Sequence, residues 1–283
     1  MSSPVAWEAE SIMALQMGAL VLFAAVAVAV FILGDRMRPA RWRHDDDEAS
    51  STMVLDLVNM FFAAIVAFVV VILWQQYDNA HAHTVAEGKA LVVTYQAAND
   101  LPEADRKEIQ SLVKEYTEGV ITDEWKSMDE DSALSETTQA TFDDLRAAVG
   151  GVSSPDPDVK DLVEKADGAL DVIAEARYDR ALDAEYRLPT FMYIALWFGT
   201  GMLLVGTVLS GMAVTKRSIL MTALFGFVVG AVILAVYQLD RPFGGGNVIS
   251  KEAYELAISR FEQIPAPEPA PVRVDPAVSV TPR

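Results

Sequence analysis

Apolar residues along this chain come in two rhythms. In four stretches they run almost without interruption: Ile12–Gly34, Met53–Trp74, Phe191–Val214 and Ile219–Leu239. Gln16 is the strongly polar member of the first, Asp56 and Asn59 stand near the start of the second, and the last two carry no charge. A helix rises about 1.5 Å per residue, so each stretch matches the roughly 30 Å of a hydrocarbon core. Nothing basic precedes the first stretch, and it is longer than the apolar core of a signal peptide. It therefore reads as a span and not as a cleaved leader.

Between the second and third stretches the rhythm changes to steps of three and four. Ile109, Leu112, Val113, Tyr116 and Val120 fall on one helical face after Asp100, the expected cap, and Pro102 in the first turn. Ser135–Val149 carries Phe142, Leu145 and Val149 and should stop at Gly150-Gly151. "SSPDPD" is a turn, after which Val159, Leu162, Val163, Ala166, Leu170 and Ile173 continue a helix toward Leu188 and Pro189. Asn79–Ala98 reads as a helix leaving span two. No alternating strand pattern occurs. The fold class expected is an all-α membrane protein, with four transmembrane helices and a helical-bundle insert between the second and third. The divisions are 1–74 for the first span pair, 75–189 for the insert, 190–243 for the second pair, and 244–283 for an amphipathic stretch and a Pro-rich tail.

Charge sharpens this picture. The net charge is −18. Residues 75–189 hold 26 Asp and Glu against 11 Lys and Arg, a balance of −15. Such a surface argues against nucleic-acid binding and against resting on anionic headgroups. Cysteine is absent, so neither disulfides nor thiolate chemistry is available. Arg36, Arg38, Arg41 and Arg43 follow span one, and Lys216 and Arg217 precede span four. Basic short loops stay in the cytoplasm, which places both termini and the acidic insert outside. Arg177, Arg180, Arg187, Arg241, Lys251 and Arg260 pull the other way.

Candidate chemistry is sparse. Phe61, Ile65, Phe68 and Ile72 form one apolar stripe on span two, which in a ring of subunits could gate by dewetting and otherwise faces lipid or a neighbouring helix. Asp56 and Asn59 share a face near that span's entrance, and an intramembrane acid is a site candidate by default. Thr222, Gly226 and Gly230 on span four, with Gly199, Gly206 and Ser210 on span three, let helices approach closely, within a chain or between chains. His81, His83 and Glu87 lack the ligand set of a zinc site, and Asp45–Glu48 lacks the glycine and spacing of a calcium loop. They read as solvated polar residues, and no metal or cofactor is expected. No nucleophile elbow, phosphate loop or dinucleotide fingerprint is present, so no enzyme is expected. At the end of span four, Asp240, Arg241, Pro242 and Phe243 form a membrane-exit clamp. Pro242 stops the helix, and Asp240 should pair with a base such as Arg177 or Arg180.

Five ordered motifs carry a resemblance: "ILWQQYDNA", "EGKAL", "YTEGVITDEW", "ARYDR" with "LP", and "LDRPFGG". Together they resemble the bestrophin-like domain family of bacterial membrane proteins, over roughly residues 55–260. The family is distantly similar to the bestrophins, pentameric anion channels with four membrane helices per subunit. The resemblance implies a homo-oligomer, with span two at the pore and Phe61, Ile65 and Phe68 as neck residues. Two departures bear on it. Bestrophins keep their helical domain in the cytoplasm, and an insert of −15 would repel anions. The expected partners are the lipid bilayer, further copies of the chain and a larger membrane complex. Two functions follow: an oligomeric ion channel, or a non-conducting scaffold that docks partners through its acidic helices.

Overall fold

The computed structural model describes residues 4–37, 48–209, 213–244 and 249–265. Every regular element among them is helical. The expectations for Arg38, Arg41, Arg43, Asp45–Asp47, Ser210 and the Pro-rich tail beyond Pro265 lie outside the described residues. Among the described residues four helices are long and apolar enough to cross a membrane, which makes this an all-α membrane protein.

The chain divides into two compact units. The division cuts through two α-helices and a π-helical turn, each of which contributes to both units.

The first unit holds the spans. It contains α1 (Pro4–Met37), the start of α2 (Glu48–Asn99), α4 (Trp125–Glu130), the end of α6 (Pro157–Glu185), α7 (Thr190–Leu209) and α8 (Lys216–Leu239). Small residues bring these helices together. A Cβ added at Gly226 would sit 2.6 Å from the Ala27 Cβ, and one at Gly230 would sit 2.7 Å from the Phe23 Cβ. Gly34 likewise meets Val208, and Gly199 meets Phe62. Without water to drive apolar surfaces together, such close backbone approach is the main source of helix association in lipid. Ser218 and Thr215 start α8 with a reciprocal capping box, in which Ser218 N donates to Thr215 Oγ1 and Thr215 N to Ser218 Oγ. An apolar cluster of Val69, Leu73, Leu188, Leu196 and Val236, flanked by Met192, Tyr193 and Leu239, joins α2, α7 and α8.

The second unit is a helical bundle. It is built from the end of α2, α3 (Glu103–Gly119), α5 (Glu136–Gly151), the start of α6 and α9 (Glu252–Gln263). Ile109, Val113 and Tyr116 of α3 are fully buried, as the periodicity requires, with Phe142, Leu145 and Val149 of α5 and Leu170 and Ile173 of α6. One local detail differs from the sequence expectation. Pro102, not Asp100, stands at the N-cap of α3, and no side chain caps that helix. As expected of a helix leaving span two, α2 continues unbroken past Trp74 to Asn99. That stretch lacks proline, and its one glycine, Gly88, is tolerated inside a helix.

Candidate functional site

On α2 the circumference divides into three faces at about 100° per residue. Phe62, Val66, Val69, Val70 and Leu73 turn into the unit's own bundle. Phe61 and Phe68 point away from it, 65% and 60% exposed, with Ile65 exposed and Ile72 half-buried on the same stripe. Ala63, Ala64 and Ala67 form the third face with Met60 and Val71, also exposed. Asp56 and Asn59 are exposed near the start of the span. Asp56 lies roughly 140° around the helix from Phe61, so the acid and the aromatic stripe are not on one face. Gly226, Gly230 and Thr222 are buried on α8, the two glycines against α1 of the same chain, while Gly206 is half-buried on α7.

The exit motif has a specific geometry. Asp240 is buried at the C-cap of α8. It does not pair with Arg177 or Arg180. Its Oδ1 accepts the Leu188 backbone N–H at 2.6 Å, and its Oδ2 accepts the Tyr193 hydroxyl at 2.7 Å. Arg241 is exposed and lies over the Tyr237 ring. Pro242, Phe243 and Gly244 are buried. The Phe243 ring meets Trp125 edge-on with centroids 5.6 Å apart, and Gly244 packs so close to the Asp129 carboxylate that a side chain there would collide with it.

The two arginines go to Glu124 instead. Arg177 Nη1 lies 2.9 Å and Arg180 Nη2 2.5 Å from its carboxylate, and all three side chains are buried. The Arg180 guanidinium also lies over the Trp125 ring. A five-residue π-helical turn, Val120–Glu124, delivers the glutamate between α3 and α4. The extra backbone residue of such a turn re-aims the side chains that follow, and π turns often mark sites. Arg187 donates to the Ala184 and Tyr186 carbonyls and to Ser132 Oγ, and Ser132 has a left-handed backbone at φ 54°. Sequence reasoning missed Glu124, which looked like one more acid in an acidic run, and missed Tyr193 and Leu188 as partners.

In the second unit Glu87 is buried, not solvated. Its Oε1 accepts the Tyr116 hydroxyl at 2.5 Å and its Oε2 the Tyr254 hydroxyl at 2.9 Å. A Cβ on neighbouring Gly88 would come within 2.9 Å of the Ala253 carbonyl oxygen, so the glycine lets α9 lie against α2. Tyr95 stacks on Phe261 at 4.5 Å, and Lys251 donates to the Ile121 carbonyl. Burial lowers the Lys251 pKa. Among the described residues no group of three His, Asp or Glu is arranged to hold a metal.

Within each unit, motifs spread along the sequence meet in space. In the first unit "TDEW" supplies Glu124 and Trp125, "ARYDR" the two arginines, "LP" the Leu188 amide, and "LDRPFGG" Asp240, Phe243 and Gly244. In the second, "EGKAL" supplies Glu87 and Gly88. No curated protein matches the chain. A solved crystal structure of a membrane protein shares its fold at TM-score 0.61 and 12% identity, over 86% of this chain and 97% of that one. The family model of the bestrophin-like domain matches residues 21–254. The chain belongs to the bestrophin-like domain family.

Proposed function

We propose that copies of this chain assemble into a ring and conduct ions along an axis lined by α2, with Phe61, Ile65, Phe68 and Ile72 as the hydrophobic constriction. One observation carries the reading: the aromatic stripe of α2 is turned away from the bundle of its own unit. A pore-lining helix must face its own subunit, the axis and a neighbouring copy. The three faces of α2 suit those roles. The bundle face packs inside the chain, the stripe suits the axis, and the alanines permit close approach of the next copy. Family membership supports a channel over an enzyme, because bestrophins are pentameric channels.

Large apolar side chains at a narrow point gate by dewetting. On this reading Asp56 and Asn59 sit at the mouth of the span and not in the constriction. The basic short loops support an orientation with termini and insert outside. The insert's negative charge would concentrate cations at the mouth it faces, so cation passage is the reading tested.

Purified protein in proteoliposomes tests this with separate potassium and chloride gradients. The unsubstituted protein should pass potassium faster than chloride, and Phe68→Ala should raise the flux by relieving the constriction. Flux equal to empty vesicles, with a stoichiometric foreign subunit co-purifying, would favour the scaffold instead.

A further inference from the structure

His83 of α2 stands between two acids of α6. Its Nδ1 is 2.7 Å from Asp183 Oδ2, and its Nε2 is 3.7 Å from Asp179 Oδ2. All three belong to the first unit, and the imidazole is 30% exposed, open enough to exchange protons with water. Asp179 and Asp183 are the charged groups that face it from α6. On α2 itself Asp78 is exposed, and Glu87, one turn on, is held by Tyr116 and Tyr254. Arg177 and Arg180 of α6 are engaged with Glu124.

A neutral imidazole has one N–H and donates to one acid, leaving a lone pair turned toward the other. The imidazolium donates from both nitrogens. The two carboxylates lie one helical turn apart on α6, so a cation between them ties α2 to two successive turns. We infer that His83, Asp179 and Asp183 form a proton-operated clamp between α2 and α6, closed when the imidazole is charged and loosened when it is neutral. Histidine is the side chain that most readily changes charge near neutrality, which suits it to a proton-operated contact. Burial raises the Asp183 pKa, and the His83 hydrogen bond opposes that rise, which fits an acid dependent on its base.

The consequence for conduction rests on α2 being the pore helix; the clamp itself does not. If both hold, protonation stiffens the extramembrane extension of the helix that carries Phe61 and Phe68, and flux becomes pH-dependent.

The chain has no cysteine, so a spin-label pair can be placed cleanly. Asn79→Cys on α2 and Leu182→Cys on α6 are both exposed positions in the first unit. Pulsed electron–electron distance measurements on the labelled full chain in nanodiscs should show the distribution collapse toward one short distance between about pH 8 and pH 5. His83→Gln, which cannot gain a proton there, should remove the response. Asp179→Asn should weaken it while leaving the Asp183 bond. A distribution that ignores pH in the unsubstituted background overturns the inference, and so does an undiminished response in His83→Gln. Flux measured in parallel separates the two readings: a pH-dependent distance without ion flux sinks the channel and leaves the clamp.

Discussion

Asp240 holds the backbone of Leu188. The acid that ends α8 accepts, at 2.6 Å, the amide that precedes Pro189 and the start of α7, and its second oxygen takes the Tyr193 hydroxyl. The exit of span four is thereby fastened to the entry of span three. Pro189 lacks an N–H and favours an extended residue before it, so Leu188 has no helical partner for its amide. A buried carboxylate is the substitute.

Asp240→Ala should therefore lower the thermal midpoint in detergent by more than Tyr193→Phe. Each hydrogen bond to the charged carboxylate contributes about 1.5–3 kcal/mol, and the alanine variant loses both. Equal midpoints for the two variants would show that the Leu188 contact carries little weight.

Glu124 is the counterpart for the arginines. Glu124→Gln leaves two guanidiniums buried with weaker compensation, at a cost of about 3–5 kcal/mol. Yield of folded protein and thermal midpoint should both fall, whereas Arg146→Gln, whose pair with Asp171 is exposed, should change stability by less than about 1 kcal/mol.

The glycines separate by position. Gly226→Ala presses a methyl into Ala27 and the Phe23 carbonyl, so about 1–3 kcal/mol is expected to be lost. Gly201→Ala meets nothing within 4 Å and should be neutral, or stabilising by roughly 0.5–1 kcal/mol through helix propensity. Chemical denaturation in mixed micelles measures both.

Asp183 gives a pH signature. Burial holds its folded-state pKa above the ordinary 3.8. The folded protein then binds that proton more tightly than the unfolded chain does. The associated stability is fully present below the unfolded value and is lost as pH rises through the folded one. Asp183→Asn should flatten the fall in thermal midpoint in the window that opens just above pH 3.8. An unchanged slope would contradict the assignment.

The four spans were legible because an uninterrupted apolar run of roughly twenty residues suits a bilayer core and little else. The α3 and α5 faces were legible because burial imposes a helical period. Partners across long chain separations were not. Asp240 announced that it needed a donor, and the nearby arginines were the obvious choice, yet an amide left free by Pro189 took it. Glu124 could not be told from Asp123 by composition, since only the π turn turns one of them into the interior. His83 and Glu87 read as surface because their partners, Asp183 and Tyr254, lie far along the chain. The stripe of α2 was legible as a stripe, while the angular separation of Asp56 from Phe61 follows from the helical period and was there to be counted.

The most direct test of the pore is cysteine scanning along α2 in the cysteine-free chain, reading block of reconstituted ion flux by a membrane-impermeant thiol reagent. The account predicts block at 61, 65, 68 and 72, and none at 62, 66, 69 and 73, which pack within the bundle. Uniform insensitivity, or block confined to the alanine face at 63, 64 and 67, would contradict it.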